Sequence, residues 1–364
     1  MPASLTQAFA QTWPPFVLIA GLLLVGAVAA SDRLFEAAGA ALARLPGGGY
    51  SLFLSLMALV VVVTVVLNLD TSVVFLTPIV LHAARRRRMA ETAFLYGVVF
   101  VSNAASLLLP GSNLTNLLVI DGRNVDGRAF AAGMAPSWAA ATVVTLVVVL
   151  VWRRRDFATP RGCGHPPPGG SDTGEPPVMP RWGAGAVGVA VATVVVLLVP
   201  DPALPVLGVG VGVAVAQVVT GRIPVGSVRR AANPLVLGGL AVLAVALGTL
   251  SRLWGAPGRL MASAGGVATS ALAAVSSCLV NNLPAAVLLS SATPGHPRAL
   301  LIGLNLGPNL AVTGSLAAIF WLRVARAEGA QPTVRTYSAV GLVLVPLSVA
   351  AALAALAAAS PGAV

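Results

Sequence analysis

In the stretch LNLDTSVVFLTPIV, residues 67 to 80, one carboxylate, Asp70, stands in the middle of a long apolar run. At the centre of a bilayer a side chain of this kind costs about 2.5–3.5 kcal/mol on insertion scales, so a retained one points to use in carrying a proton, holding an ion or pairing with a cation. We place no Arg or Lys inside any apolar segment, which leaves Asp70 without an ion-pair partner. The other ten acidic residues fall in or beside loops, so Asp70 is the one carboxylate placed to carry a coupling ion.

Amides and hydroxyls surround that carboxylate in the sequence pattern. The candidate substrate-binding groups are Asn68, Thr71, Asn103, Ser106, Ser112, Asn113, Thr115 and Asn116 in the first half. In the second half they are Asn281, Asn282, Asn305, Asn309, Thr313, Gly314 and Ser315. They cluster beside helix breakers, Pro110-Gly111, Pro284, Gly307-Pro308 and Gly314. Broken helices free backbone N–H groups that favour anions or hydroxyls, and freed carbonyls that favour Na⁺ or a donor. Four such breaks are expected to converge near the membrane midplane.

No catalytic constellation accompanies them. There is no phosphate-binding glycine loop and no second intramembrane carboxylate for acid/base work. His82, His165 and His296 lie far apart near loops, and Cys163 and Cys278 sit in unlike surroundings, so no metal site or cofactor is expected. A membrane-embedded enzyme or scaffold stands as a second alternative class.

The elements that hold these residues follow from composition. Hydrophobic residues make up 57% of the 364, charged residues 9%, and mean hydropathy is +0.91, which excludes an ordinary soluble domain. Apolar stretches of about 17 to 23 residues are long enough to cross the hydrocarbon as helices. We read them at 14–30, 50–84, 93–120, 133–152, 182–199, 203–220, 232–250, 260–292, 299–321 and 337–358. The two long ones, 50–84 and 260–292, are each interrupted near the middle, by Asn68-Leu69-Asp70 and by Asn281-Asn282-Leu283-Pro284, and suit re-entrant helical hairpins.

The net charge of +11 comes from Arg alone among the basic residues, and 17 of the 22 Arg fall in the loops 31–49, 82–92, 153–181, 221–231 and 322–336. The bias makes those loops cytoplasmic and the N-terminus external, and it replaces nucleic-acid binding as the account of the charge. The Pro- and Gly-rich segment 153–181 reads as a cytoplasmic linker between a first repeat, 1–152, with three crossings and a cytoplasm-facing hairpin, and a second, 182–364, with five crossings and an outward-facing hairpin. Asn68-Leu69 before VVFL matches Asn282-Leu283 before AVLL, and the breaks at 102–116 and 304–316 match in turn. The expected architecture is an all-α polytopic membrane protein, an inverted-repeat secondary transporter with two re-entrant helical hairpins and broken transmembrane helices.

On these residues the sequence resembles the arsenite-efflux (ArsB-like) permeases of the ion transporter superfamily, related to the citrate and divalent-anion transporters. The resemblance runs from about residue 14 to 358. It is densest in DTSVVFLTPIV with Asp70 and Thr77-Pro78, in SLLLPGSNLTNLL with Ser106, Ser112, Asn113 and Asn116, and in NNLP and NLGPNLAVTGSLAAIFW of the second half. It departs at Leu69, where family members carry Asn, and at Asn305 and Asn309, where some carry an acidic residue and Lys. The resemblance implies proton-coupled efflux of arsenite or antimonite across the plasma (inner) membrane. It leaves a homodimer and an ATPase subunit as partners to be tested. The first alternative on the same fold is a sodium-coupled carrier of citrate or another carboxylate, or a sodium/proton exchanger.

Overall fold

The computed structural model describes residues 3–120, 126–158, 183–232 and 234–360. Among them every regular element is helical, and helices follow one another with short connections. The first half contains α1 (Ala3–Ser31), α2 (Leu34–Arg44), α3 (Gly49–Val66), α4 (Leu69–Arg86), α5 (Glu91–Ala105), α6 (Leu114–Ile120), α7 (Gly127–Trp152) and α8 (Arg154–Ala158). The second contains α9 (Ala184–Leu198), α10 (Ala203–Val219), α11 (Val225–Ala232), α12 (Pro234–Trp254), α13 (Ala256–Ser263), α14 (Gly266–Val280), α15 (Asn282–Leu289), α16 (Pro297–Leu306), α17 (Leu316–Ala327) and α18 (Val334–Ala359). Most of the linker 153–181, with Cys163 and His165, lies outside the described residues.

Five described helices are long and apolar enough to cross a membrane: α1 over Ala8–Ser31, α3, α7, α12 and α18. The chain is a polytopic helical membrane protein. All five stretches expected as cytoplasmic loops are partly helical, α4 running on to Arg86, α8 falling inside 153–181 and α11 beginning inside 221–231. Residues 34–44 form α2, and α17 continues through Arg323 to Ala327. A loop assignment that ended the apolar run at residue 321 missed this, because Arg323 and Arg326 interrupt the hydropathy without interrupting the backbone hydrogen bonding.

Both long apolar stretches are broken where expected. α3 ends at Leu67, Asn68 takes an extended conformation, and its Oδ1 accepts from Thr71 N at 2.7 Å to start α4. In the second half Asn281, at φ 77, ends α14 and its Oδ1 accepts from Leu283 N at 3.3 Å to start α15. Such side-chain caps supply the acceptors that the first turn of a helix lacks. After each helix pair comes a helix that breaks through 3-10 turns, α5 to α6 across Pro110–Ser112, and α16 to α17 across Gly307–Leu310 and Val312–Gly314. Pro110 and Pro308 contribute to the breaks, since proline donates no backbone hydrogen bond, although Pro78, Pro136 and Pro346 sit inside continuous helices.

The two broken segments pack against one another through buried amides. Asn103 Nδ2 donates to Asn309 Oδ1 at 2.7 Å, and Asn305 Nδ2 donates to Asn116 Oδ1 at 2.8 Å. Close approach of backbones seats the neighbours. A Cβ at Gly303 would collide with the Ser270 carbonyl on α14, and one at Gly341 with the Asn309 carbonyl, so α16 and α18 lie directly against the segments they cover. Around this unit α1 packs along α9, α10 and α12. At the end of α1 the buried Asp32 accepts from Gly185 N at 2.8 Å and Gln217 Nε2 at 2.9 Å, tying α1 to α9 and α10.

Candidate functional site

Four helices begin at one place. Asn68 caps α4, Asn113 Oδ1 accepts from Thr115 N at 3.2 Å in the first turn of α6, Asn281 caps α15, and Ser315 Oγ accepts from Ala318 N at 3.1 Å to cap α17. The first residues of all four, Asp70 and Thr71, Asn113 and Thr115, Asn282, and Ser315, line a single cavity of about 340 Å³. A helix N-terminus carries a partial positive charge and unpaired N–H groups, so four of them together favour a negative group.

The helices enter as pairs. His82 Nδ1 on α4 lies 3.9 Å from Glu328 Oε2 just past α17, while Asp70 and Leu316 line the same cavity, so α4 and α17 run parallel with their N-termini level. The second pair, α6 with α15, is joined by Ser290 Oγ donating to Leu118 O at 3.5 Å, and its first residues reach the cavity too. Side walls come from elsewhere: Ile19 and Leu23 of α1, and Val236, Leu237 and Leu240 of α12.

Asp70 takes part in none of the ion pairs among the described residues, which are Arg33–Glu36, His82–Glu328, Arg85–Glu91 and Arg153–Asp156. A basic residue nevertheless borders its cavity. Arg323 lines it from α17, on the face shared with Leu316 and Phe320. Arg323 lies two residues past the apolar segment 299–321, where a loop was expected and α17 instead continues. One signal was available: Leu316, Phe320 and Arg323 stand four and three residues apart, the spacing of one helix face. Thr71 Oγ1 and Thr115 Oγ1, on two lining residues, are buried with no hydrogen-bond partner in the protein, as is Asn68 Nδ2 behind them. A buried orphan hydroxyl calls for a ligand or water to satisfy it.

The remaining candidates are not among the cavity-lining residues. Asn103, Ser106, Asn116, Asn305 and Asn309 are fully buried in the network between the halves. There Asn305 Oδ1 accepts from Ser106 Oγ at 2.8 Å and from Asn113 Nδ2 at 2.7 Å, and Asn116 Nδ2 donates to Ser106 O and Leu109 O. This web is joined to the cavity through Asn113, so its members position a lining residue. Ser112 Oγ donates to Val65 O at 3.0 Å, fastening the first break to the end of α3. Asn281 Nδ2 donates to Thr313 O at 3.0 Å and does the same for α14. Gly314 lies where a Cβ would come 2.7 Å from Pro308 Cα.

No group of His, Cys, Asp or Glu among the described residues could hold a metal ion. The arrangement offers a small solute hydrogen-bond donors, helix dipoles and the side chain of Arg323, beside the carboxyl of Asp70.

Compared with known proteins, residues 3–305 match a family model described as "Citrate transporter". The chain is also similar to a solved structure, the crystal structure of the Alcanivorax borkumensis YdaH transporter, reported to have an unusual topology. The two share a TM-score of 0.64 at 17% identity, over 98% of this chain and 87% of that one. At that identity the likeness establishes the fold alone. No curated protein is matched by the sequence.

Proposed function

This chain belongs to the citrate transporter family, and on that premise we propose that it is a secondary carrier of a small organic anion. It binds the anion in the cavity lined by Asp70, Thr71, Asn113, Thr115, Asn282, Ser315 and Arg323, and it couples passage to a proton through Asp70. The observation that carries this reading is the meeting of four capped helix N-termini on one cavity, which the exposed Arg323 also lines. Arsenite and antimonite, as neutral trihydroxy species, need donors and acceptors but gain little from helix dipoles and a fixed cation. A carboxylate gains from both.

Coupling follows from charge. Ionised Asp70 repels an anion in the same cavity, and protonated Asp70 does not, so proton and anion each favour binding of the other. A Na⁺ ion beside Asp70 would act in the same sense. The helix pair, break and helix of each half are related as an inverted repeat, and the hairpin-bearing unit α3–α6 with α14–α17 moves against α1, α9, α10 and α12 to expose the cavity to either side of the membrane.

The test is thermal stabilisation of the purified chain by carboxylates, arsenite, antimonite and NaCl, with choline chloride as control, at two pH values. Carboxylates are expected to stabilise it, more strongly at the lower pH. Stabilisation by arsenite or antimonite alone would overturn the anion reading and restore the efflux alternative.

A further inference from the structure

We infer that the anion taken by this cavity carries a single charged head on an apolar body, an aryl or branched-alkyl monocarboxylate, and that citrate itself is a poor fit; the inference rests on the carrier reading above. Apart from Arg323, the polar lining is gathered at one end, where the helices begin, and the rest of the lining is hydrocarbon. One turn beyond the caps, Val74 and Phe75 on α4 and Phe320 on α17 face the space, with Ile19 of α1 and Leu237 and Leu240 of α12 also lining it.

Because α4 and α17 are parallel and level, this apolar band is common to both helices. A carboxylate seated on the N-termini near Asp70 and Ser315 therefore directs the remainder of its molecule against aliphatic and aromatic side chains. Citrate has three carboxylates within a few bonds of one another. Seating one on the N-termini presses another against the band, where an unpaired charge is costly. Arg323 stands beyond the band, about 12 Å along α17 from its Ser315 cap at 1.5 Å per residue, at the far end from the first carboxylate. A volume of about 340 Å³ is at the small end of small-molecule sites, about 300–1,000 Å³.

The experiment titrates acetate, 3-phenylpropionate, isovalerate and citrate into the purified full chain at one pH, with thermal stabilisation as the readout. Phenylpropionate is expected to half-saturate at a concentration about 10- to 100-fold below acetate, the gain from burying one phenyl-sized group, with isovalerate between them. Citrate is expected to be weaker than phenylpropionate. F320A, and separately L240S on the opposite wall, should each narrow the preference for phenylpropionate over acetate. Citrate binding more tightly than both monocarboxylates would overturn the inference and leave the carrier reading intact. Equal binding of acetate and phenylpropionate would overturn it as well, since the apolar band would then be filled by lipid alone. Stabilisation by no carboxylate would overturn the carrier reading itself.

Discussion

Asn113 donates to Asn305 Oδ1 at 2.7 Å, and this one bond joins the cavity wall in the first half to the broken helix of the second. Asn305 also accepts from Ser106, donates to Asn116, and donates to Leu301 O at 2.8 Å. A single buried amide thus sets the position of α6, whose first turn lines the site. Sites of this kind are expected to be sensitive at residues that never touch the ligand.

Asn305→Leu removes an acceptor shared by Ser106 and Asn113 and a donor to Asn116. Each buried group left unpaired costs about 1–3 kcal/mol, so the variant should lose several kcal/mol of stability. Thermal unfolding would measure this. The milder Asn305→Gln should fold better yet weaken binding of carboxylate, because it displaces Asn113; unchanged affinity in that variant would sever the network from the site.

Asp70→Asn mimics the protonated form of the carboxyl. Carboxylate binding to the wild-type chain should strengthen as pH falls, since the proton removes a repelling charge, and binding to the variant should be strong and pH-independent. Uptake driven by a proton gradient in inverted vesicles should collapse in the variant. Retained proton dependence would move the coupling group elsewhere.

Arg323→Gln should weaken carboxylate binding by only about two- to fivefold, the scale of a screened charge acting across about 12 Å and not by contact, and reduce its sensitivity to salt. Arg323→Lys should recover part of the loss. Arsenite binding, if present, should be indifferent to both substitutions, so the pair of measurements separates an anionic from a neutral solute.

Asn281 holds φ 77, a left-handed conformation costly for a residue with a Cβ, and its Nδ2 donates to Thr313 O at 3.0 Å. Asn281→Ala keeps the backbone cost and loses both the cap and the tether. Asn281→Gly loses them too but relieves the backbone, so it should be more stable than the Ala variant by about 1 kcal/mol. The two unfolding temperatures, compared directly, give the answer. Equal values would mean that the conformation is not held in the folded state.

Much of this protein was legible in its sequence, for identifiable reasons. Membrane-spanning segments announce themselves because a bilayer demands apolar length, and the breaks announce themselves because Pro and Gly next to Asn or Ser have no other place in such a run. Asp70, Thr71, Asn113, Thr115, Asn282 and Ser315 were all named from that pattern, and all line the cavity. Arg323 was missed because hydropathy ends a segment at a charge, whereas a helix ends only where its backbone hydrogen bonding ends.

What the sequence by itself determined was the class of molecule, the break points and the residue types available at them. Which amides line the cavity, and which are spent holding the halves together, only the tertiary structure decided. Asn113, just before α6, and Asn116, in its first turn, both bond to Asn305, yet only Asn113 also lines the cavity. In a helix that is apolar nearly all round, no periodicity marks the inward face. Their shared partner Asn305 lies about 190 residues away along the chain, and what separates the two is that Asn116 spends its remaining donors on the Ser106 and Leu109 carbonyls while Asn113 stays at the cavity wall, an arrangement no local pattern encodes.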